Sequence, residues 1–577
     1  MTTSVKVYVN EDDALLFWSV SEVIAGCRGF AVARRRSNQS GLREDFLLNR
    51  MGFDNEPVPQ PGVGGGVVRP STEWPFQRFS WTDHDTDTGD TVSYRVIPVI
   101  RNNAGTLELV EAQASQWSPE RTLGVSTSSV YQPFFNRAFV ISQFMARYLA
   151  ERHLTLEQFK ATIAEKDETT IRRFLSGDLR LALINEIRTV AAQDGQAFAT
   201  LFELSDDELL DELCALGSRA HVVLANGSIQ KAQGETTAQA RQRDENATAR
   251  AKLQAAGVDV QPDHRFTAPG PLAHNKFLVR TDRDGTPRTV WTGSTNWTPT
   301  GLCTQVNNGL LVTDPDVATA YRQQWQRLRD AASSFPPSLV DNNSTPTRID
   351  PRTPGDPATT VWFSRTARQA DLQALRAEVN AAQHGILFLM FMPGATGLFA
   401  TVAARAAQPD LYVRGVVSEL PRGHPNEDGQ VHVNVVDNTT QHTVDLDIIQ
   451  PEGIAHPLAH FAAEVTHKQF LANIGHAIIH SKIIVIDPFN PNCTVITGSH
   501  NFSLSASGKN DENFLIIKNA PELAQAYAVN IIGAYDHYRW RTFLTQHDTP
   551  FNGLQDNDTW MAPTLTRNQR DLHFWGL

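Results

Sequence analysis

The chain has 577 residues and a net charge of -12, and 41% of its residues are hydrophobic while 20% are charged. This length is enough for about three or four domains of ordinary size, and the composition excludes a globally disordered protein. The negative charge disfavours loose, non-specific binding to polyanions. The four cysteines are widely spaced, which excludes a disulfide framework or a zinc knuckle and suits a reducing compartment.

The N-terminus and the most apolar run bear on localisation. "MTTSVKVYVN" has no basic region followed by a long apolar run, so it does not predict a secretory signal. "ILFLMFM", from Ile386, is too short to span a bilayer and is typical of a buried strand. We therefore expect a soluble, cytoplasmic protein.

Residues 1–120 contain short β-branched or aromatic runs, such as "SVKVYVN" and "TVSYRVIPVI", separated by Asn, Asp, Gly and Pro. No long helical period interrupts them, which predicts an antiparallel β-sandwich. Trp81 with a later Tyr-Arg-Val resembles a fibronectin type III module. "EPVPQPGVGGGVVRP", from Glu56, predicts a flexible loop. "DHDTD", from Asp83, favours an acidic turn over a calcium loop, because it lacks the Gly and terminal Glu of an EF-hand.

The pattern changes near residue 125, where apolar residues begin to recur at helical spacing, and helix formers fill residues 155–192. "GQAFATLFEL" and "AHVVLANGS" predict two strands. "SDDELLDELCALG" between them predicts a helix with a capping box from Ser205 to Glu208. This order implies a parallel pair of strands with a right-handed crossover. The polar residues 229–252 predict a surface helix or a mobile lid.

The second half of the chain repeats this plan. "GILFLMFMPG" and "DLYVRGVVS" again predict strands with a helical stretch between them, and "NNGLLVTDPDVATAY" aligns with "ENFLIIKNAPELAQAY". The period of about 200 residues is too long for a solenoid. It predicts two facing α/β lobes, residues 125–332 and 361–545. The Pro-, Asn- and Thr-rich residues 333–360 predict a linker, and residues 546–577 form a C-terminal tail.

One motif that can carry chemistry occurs once in each half. "HNKFLV…TGSTNW" begins at His274 and "HSKIIV…TGSHNF" begins at His480, so each places a Lys two residues after a His and Gly-Ser-x-Asn later. Positions i and i+2 of a strand share a face, and a hairpin can return the Ser and Asn beside them. The donors suit a tetrahedral phosphate. Two imidazoles on opposite sides of phosphorus suit in-line displacement, in which one attacks and the other protonates the leaving oxygen.

The paired motifs resemble the phospholipase D superfamily over roughly residues 125–545. The resemblance implies metal-independent, two-step cleavage of a phosphodiester through a phosphohistidine, without a cofactor. It implies that His274 is the nucleophile, and that His480 protonates the leaving alcohol and later activates water. It implies that Lys276 and Lys482 are catalytic lysines. It implies that the phosphate-binding or supporting groups are Asn296, Asn501, Ser294 and Ser499.

The first copy departs from the superfamily motif, which has Asp seven positions after His. Asp487 fills this place in the second copy, whereas Thr281 stands there in the first copy and Asp282 follows it. Either a bulge shifts the hairpin by one residue, or Thr281 replaces the carboxylate. This Asp is a supporting group in the family, so the departure does not require a loss of activity.

Further polar residues follow the two motifs at equal places: Asn307, Asn308, Glu512 and Asn513. They either orient the imidazoles or hold strand edges, and we expect Glu512 and Asn308 to support the site. His476, four residues before His480, either lines the pocket or is structural. The histidines between residues 424 and 467 lack the spacing of a metal site, so no metal is expected.

Together these patterns predict a phosphodiesterase of phospholipase D type that is complete as a monomer, because both copies lie in one chain. We favour a phospholipid headgroup as the substrate, with transient contact to a membrane surface. The acidic chain lacks the basic surface of a nonspecific nuclease. Two alternatives remain: a nuclease that acts on DNA or RNA, since Gly-Ser-x-Asn also resembles the nuclease branch, and a non-catalytic binding or assembly protein on the same fold.

Overall fold

A computed structural model describes most of the chain, in these ranges: 3–56, 68–124, 129–140, 156–165, 170–261, 265–394, 396–406, 408, 410–417, 435–436, 447–449, 479–546 and 553–577. Several expectations concern residues outside these ranges. They are most of the loop that starts at Glu56, the helical run of residues 141–155, His476 and the histidines between residues 424 and 467.

Antiparallel sheets form the N-terminal region, as predicted. Its strands are β1 (Thr3–Val9), β2 (Ala14–Val20), β3 (Cys27–Asn38), β4 (Gly41–Phe46), β5 (Leu48–Asn49), β6 (Arg69–Pro70), β7 (Ser80–Asp83), β8 (Thr91–Arg101), β9 (Leu107–Leu109) and β10 (Arg121–Thr122). Among the described residues, one sheet has the order β1-β2-β7, and a second has the order β10-β8-β3-β4 with β9 beside β8. Trp18 of the first sheet and Phe30 and Tyr94 of the second lie in one apolar core.

The first α/β repeat follows. Its elements are β11 (Tyr131–Phe135), α1 (Leu156–Ala164), α2 (Thr170–Ala192), β12 (Gln196–Leu201), α3 (Asp207–Leu216), β13 (Ala220–Leu224), α4 (Thr237–Ala240), α5 (Ala247–Ala255), β14 (Asp259–Val260), β15 (Lys276–Thr281), β16 (Pro287–Gly293), α6 (Pro299–Cys303), β17 (Asn308–Val312) and α7 (Pro315–Ala331). Its described strands form one sheet in the order β11-β17-β16-β15-β12-β13-β14. β12 and β13 are parallel, as the strand–helix–strand pattern predicted.

The second α/β repeat has the same plan. Its elements and those that flank it are α8 (Pro337–Asn343), β18 (Thr347–Ile349), β19 (Ala358–Ser364), α9 (Ala370–Ala381), β20 (Gly385–Met390), α10 (Leu398–Ala406), β21 (Tyr412–Val417), β22 (Val435–Val436), β23 (Asp447–Ile449), β24 (Lys482–Ile486), β25 (Thr494–Gly498), α11 (Leu504–Gly508), β26 (Glu512–Lys518), α12 (Pro521–Gln546) and α13 (Met561–Phe574). Its described strands follow the order β18-β19-β26-β25-β24-β20-β21-β23-β22. The run β19-β26-β25-β24-β20-β21 matches β11-β17-β16-β15-β12-β13, so the α/β fold is duplicated.

One local expectation differs from the structure. The N-cap of α3 is Asp206, not Ser205, and its side chain accepts a hydrogen bond from the N–H of Leu209 at 3.2 Å. Asp206 is fully buried and also pairs with Arg172. The buried guanidinium needs a carboxylate partner, which a serine hydroxyl cannot supply, and this explains why the chain begins its helix one residue later.

The predicted linker and tail both contain regular elements. Residues 333–360 include α8 and β18, and residues 546–577 include α13. The C-terminal segment joins two parts of the fold, because Tyr8 donates to the carbonyl of Trp575 at 2.7 Å while Tyr412 donates to Asp571 at 2.7 Å. No helix in the described ranges is long and apolar enough to cross a membrane.

Candidate active site

Both motif histidines lie at the boundary between the two repeats. His274 lies two residues before β15 and His480 lies two residues before β24, and their ring centres are 6.4 Å apart. Each is anchored by the other repeat: the N–H of His274 donates to the carbonyl of Asp511 at 2.9 Å, and that of His480 donates to Val306 at 3.0 Å. Only 3% of His274 and 5% of His480 is exposed. The duplication therefore brings together two histidines that are distant in sequence.

A carboxylate holds the imidazole of His274. Nδ1 of His274 lies 2.8 Å from Oε2 of Glu512, at the start of β26. The same oxygen accepts a hydrogen bond from Ser499 at 2.9 Å, and Oε1 accepts one from Asn510 at 3.0 Å. A carboxylate accepts but cannot donate, so Nδ1 carries the proton and the lone pair of neutral His274 is on Nε2.

A carboxamide holds His480 in the equivalent way. Nδ1 of His480 lies 2.8 Å from Oδ1 of Asn307, which also accepts from Ser294 at 2.8 Å. The Asn307 amide donates to the carbonyl of Gly301 at 2.9 Å, which fixes the side chain with its oxygen toward His480. The two histidines thus have the same geometry but different partners, since one faces a charge and the other faces a dipole.

The motif lysines are buried in the same region. Lys276 and Lys482 each donate to the main-chain carbonyl of their own histidine, Lys276 at 2.6 Å, and each is at most 1% exposed. Burial lowers the pKa of Lys276 to about 7 and holds that of Lys482 well below its usual value. Both ammonium groups would be stabilised by a bound anion.

Two phenylalanines that the sequence reading did not select complete the arrangement. The ring of Phe202 lies 4.8 Å from both Lys276 Nζ and the His274 ring. Phe391 lies 4.7 Å from Lys482 Nζ and 4.8 Å from the His480 ring. Phe202 directly follows β12 and Phe391 directly follows β20, so alignment of the repeats around these strands could have identified them.

The same surroundings set the protonation of the acid and base groups. Burial lowers the pKa of His274 to about 4, although Glu512 opposes this shift. Burial and the two lysines hold the pKa of His480 well below its usual value. Burial alone would raise the pKa of Glu512, but the contact with His274 and the charge of Lys276 outweigh it and lower the pKa. The site thus combines an ionised carboxylate with neutral imidazoles.

The remaining motif residues divide between the pocket and its support. The amide of Asn296 donates to Glu203 at 2.7 Å, and the carboxamide oxygens of Asn296 and Asn501 are buried with no hydrogen-bond partner among the described residues. Ser294 and Ser499 bond to the partners of the histidines, as described above. These contacts leave the asparagines, but not the two hydroxyls, with unused hydrogen-bonding capacity.

Asn308 supports the surroundings of His480 through Ser294, whose hydroxyl lies 3.1 Å from Asn308 Oδ1 and 2.8 Å from Oδ1 of Asn307. The Asn308 amide donates to Thr497 at 2.9 Å and to Tyr527 at 3.2 Å. The counterpart of Glu512 is Asn307, as the alignment of the two segments predicted, and Asn307 rather than Asn308 contacts the imidazole of His480. Asn308 corresponds instead to Asn513, whose carboxamide bonds to Thr292 and Tyr321. Each of these asparagines ties the first repeat to the second.

The aspartate position of the motif lies apart from the histidines. The Asp487 carboxylate accepts hydrogen bonds from the N–H groups of residues 383, 384 and 385 at 2.7–3.0 Å, just where β20 begins. In the first repeat Thr281 occupies the equivalent register, opposite Gln196. The β15–β16 ladder shifts register between Arg280 and Thr281.

Asp282 does not take over this role. It lies in the β15–β16 turn, where it accepts from the N–H of Thr286 at 3.0 Å and from Arg288 at 2.6 Å. In the first repeat the N–H groups of Asp194 and Gly195 already donate to carbonyls at the end of α2. A carboxylate at Thr281 would thus find fewer free donors, which gives a physical reason for the substitution. Within the described ranges, no group of three or more His, Cys, Asp or Glu side chains could hold a metal ion.

Comparisons with known proteins agree with this duplicated geometry. The family model "Cardiolipin synthase, PLD-like domain" matches residues 190–329 and 375–532, more than half of the chain. No curated protein matches. Among the solved structures that are similar to this chain, three are described, and all three have TM-scores below 0.4. Phosphatidylserine synthase from Haemophilus influenzae is 13% identical, with 69% of this chain and 92% of that chain covered and a TM-score of 0.37.

Nuc, a phospholipase D family member from Salmonella typhimurium, is 21% identical, with 34% of this chain and 99% of that chain covered and a TM-score of 0.18. Polyphosphate kinase from Porphyromonas gingivalis is 11% identical, with 58% of this chain covered and a TM-score of 0.35. The chain spans 42% of the length of that kinase. From the two matched regions, we conclude that the chain belongs to the phospholipase D-like family described as "Cardiolipin synthase, PLD-like domain" and carries that domain twice.

Proposed function

We propose that this protein is a metal-independent phosphodiesterase of phospholipase D type, in which His274 forms a covalent phosphohistidine. The observation that carries the proposal is the unequal pair of histidine partners, Glu512 on His274 and Asn307 on His480, at the same Nδ1 distance of 2.8 Å. Family membership supports phosphodiester chemistry as the reaction class.

In the first step, Nε2 of His274 attacks phosphorus and the bond from phosphorus to the leaving oxygen breaks. The imidazole gains positive charge as the P–N bond forms, and the Glu512 carboxylate stabilises that charge through Nδ1. His480, protonated in the substrate complex, gives its Nε2 proton to the leaving oxygen. The two buried lysines, Lys276 and Lys482, hold the charge of the non-bridging oxygens.

In the second step, water or another alcohol attacks the phosphohistidine. His480, now neutral, takes the proton from the attacking oxygen, and the P–N bond breaks to return His274. Asn307 suits this role, because it orients the His480 ring without a carboxylate that would oppose release of the proton. The chemistry leaves open whether the acceptor is water or an alcohol, so hydrolysis and transfer share one intermediate.

We favour a phospholipid headgroup as the substrate. Two large apolar side chains are exposed close to the second motif: Met392, next to Phe391, is 49% exposed, and Leu504, three residues after Asn501, is 40% exposed. Apolar groups beside a phosphate site suit a diester that carries acyl chains, and they would allow transient contact with a membrane surface. The name of the family model, which refers to a cardiolipin synthase, also favours a lipid.

A nuclease is the second candidate, and Arg365 favours it. Nε and Nη2 of this half-buried side chain have no hydrogen-bond partner in the described structure, and its charge is felt by Asp511, which holds the His274 N–H. A guanidinium with nitrogens that are not otherwise paired would suit a further phosphate of a nucleic acid that reaches it. A non-catalytic binding protein is less well supported, because both sets of His, Lys and Asn are complete.

We extend the proposal to the rest of the architecture. The sheet orders β1-β2-β7 and β10-β8-β3-β4 support a β-sandwich of fibronectin type III kind. The contacts that cross between repeats support two facing lobes and a site that is complete within a monomer. None of the four cysteines, all within the described ranges, forms a disulfide, in keeping with the expected cytoplasmic location.

The deciding experiment is a turnover assay in EDTA. Purified protein and His274→Ala are given mixed phospholipid vesicles and, separately, single- and double-stranded DNA. Headgroup release that depends on His274 is the expected result. DNA cleavage without headgroup release would establish the nuclease candidate, and no turnover of any diester would favour a binding protein. Loss of activity in EDTA would overturn the metal-free mechanism.

A further inference from the structure

Asn136 is a buried residue outside both motifs, and it holds the loop that carries Asn307. It directly follows β11 and is 1% exposed. Its amide lies within hydrogen-bonding distance of three main-chain carbonyls, those of Gly301, Leu302 and Gln305, at 2.7–3.2 Å. All three lie between β16 and β17, in the segment that ends at Asn307.

Asn136 also holds the main chain of Asn307 on both sides. Its Oδ1 accepts from the Asn307 N–H at 3.0 Å, and its own N–H donates to the Asn307 carbonyl at 3.3 Å. The side chain of Asn307 contacts Nδ1 of His480. One residue therefore lies between Asn136 and the ring of the proposed general acid.

The N-terminal region holds Asn136 in turn. The β1–β2 loop supplies two successive acidic residues, Glu11 and Asp12, both buried. Oε1 of Glu11 accepts from the N–H of Phe135 at 2.5 Å, and Oδ2 of Asp12 accepts from Nε of Arg137 at 2.7 Å. These two contacts lie on either side of Asn136 in sequence, so the loop fixes the chain at the point where β11 ends.

The second repeat builds the same support without the N-terminal region. Ser364 is the counterpart of Asn136, because Phe135 pairs with Asn308 as Phe363 pairs with Asn513. Its hydroxyl contacts the carbonyls of Ala506 and Asn510 at 2.8 and 3.0 Å, which precede Glu512. Among the described residues, the difference between the copies is therefore the pair of contacts from Glu11 and Asp12 of the β1–β2 loop, here called the clamp, which is found on the His480 side.

We propose that Asn136 is a positioning residue for His480, and that the β1–β2 loop of the N-terminal region completes the active site through it. This inference rests on the proposed function, since it concerns the proton transfers assigned to His480. The N-terminal region is then part of the catalytic apparatus, in addition to any role as an adaptor. Loss of the clamp should impair proton transfer to the leaving group and from water, while attack by His274 continues.

The test uses the full chain and two substrates with the same phosphatidyl group, or the same nucleotide if DNA is the substrate. One has an alkyl leaving group and the other has 4-nitrophenol, which leaves without protonation. Single-turnover release of the first product is measured for Asn136→Ala. We expect the alkyl rate to fall about 10- to 100-fold, a part of the usual contribution of general acid catalysis. The 4-nitrophenol rate should stay within about threefold, with phosphohistidine accumulating because water attack is slow.

Controls separate positioning from loss of fold. Asn49→Ala removes another buried asparagine of the N-terminal region, which bonds to the carbonyl of Trp74 at 3.1 Å, and should change neither rate. Glu11→Gln keeps an acceptor for Phe135 and should retain activity that Glu11→Ala loses. Asn136→Ser, which imitates Ser364, should restore part of the alkyl rate.

The outcomes are distinguishable. His480→Ala should slow the alkyl substrate more than the 4-nitrophenyl substrate. If it does, equal losses on both substrates in Asn136→Ala, or no loss on either, would overturn the positioning role of Asn136. If His480→Ala itself slows both substrates equally, the role of His480 in the proposed function fails. If Asn136→Ala does not fold, the comparison of Glu11→Gln with Glu11→Ala decides, and equal rates in these two variants would overturn the clamp.

Discussion

The carboxylate of Glu512 lies 2.8 Å from Nδ1 of His274, although 238 residues separate them in the chain. The contact crosses from one repeat to the other, and its counterpart joins His480 to Asn307. A duplicated fold with equal partners would give two equivalent histidines. The replacement of Glu by Asn in one copy breaks that equivalence, which supports the different tasks that we propose for the two histidines.

Glu512→Gln should slow formation of the phosphohistidine more than its breakdown. The variant keeps a hydrogen-bond acceptor for Nδ1 but removes the charge that stabilises the imidazole as it attacks, which we expect to cost about 100-fold or more in the first step. Rapid-quench measurement of the phosphohistidine burst checks this. Asn307→Gln, at the other histidine, is the matched variant. It should slow the second step at least as strongly as the first. A burst rate unchanged in Glu512→Gln would contradict the assignment of His274 as nucleophile.

The rate should be highest in mildly acidic solution. His274, with its pKa lowered to about 4 by burial, is a neutral nucleophile above that pH. Lys276, with its pKa lowered to about 7 by burial, carries charge only below that pH. In the free protein both conditions hold between about pH 4 and 7. His480 must also gain its proton for the first step, and burial and the lysines hold its pKa well below the usual value, so kcat/KM should fall as pH rises, at the latest through 7. Once a phosphodiester anion is bound it stabilises the charged lysine, so kcat should fall at a higher pH than kcat/KM.

Binding of dimethyl phosphate offers an independent check of the fall in kcat/KM at alkaline pH. This diester remains a monoanion across the range, so any pH dependence of its affinity belongs to the protein. We expect its inhibition constant to rise above pH 7 with the fall in kcat/KM. A flat profile from pH 5 to 9 for both measurements would rule out Lys276 as the titrating phosphate ligand.

Much of this site could be predicted from the sequence because the motif that forms the site occurs twice in the chain. His-x-Lys and Gly-Ser-x-Asn recur in order, and strand periodicity places each set on one surface, so the histidines and lysines could be selected without coordinates. The duplication itself followed from the alignment of the segments at Asn307 and Glu512. The strand order in the two large sheets, which match along six strands, agrees with that alignment.

The contacts between repeats could not be predicted in the same way. Whether Asn307 or Asn308 faces His480 depends on which residue ends the loop before β17, and the alternation of a strand makes a one-residue shift decisive. Likewise, Thr281 is explained by main-chain donors at the end of α2 that are already occupied, which no motif reveals. The clamp from Glu11 and Asp12 depends on how the N-terminal region docks, and the sequence holds no repeat of it.

Glu203 should tune the charge of Lys276. It accepts from Asn296 at 2.7 Å, and its charge favours the protonated form of Lys276. Met392 follows Phe391 in the second repeat as Glu203 follows Phe202 in the first. Glu203→Gln removes the charge but keeps an acceptor for Asn296, and it should move the alkaline limb of kcat/KM about one pH unit lower. Glu203→Met should give the same pH shift and also weaken phosphate binding, because Asn296 loses its partner. An alkaline limb that stays in place in both variants would refute the charge effect.

Asp487 should matter for stability rather than chemistry. Its carboxylate accepts three main-chain N–H bonds at the start of β20, of which the bond from Gly385 is buried. A buried donor left without a partner costs about 1–3 kcal/mol. Asp487→Ala should therefore lower the melting temperature of the second repeat and speed hydrogen exchange of the amides of residues 383–385, while the pH profile of the remaining activity keeps its shape. Thr281→Asp is the reverse test: because Asp194 and Gly195 already use their N–H groups, the new carboxylate should destabilise the first repeat instead of repairing its motif. A Thr281→Asp variant more stable than the natural chain would show that free donors exist there after all.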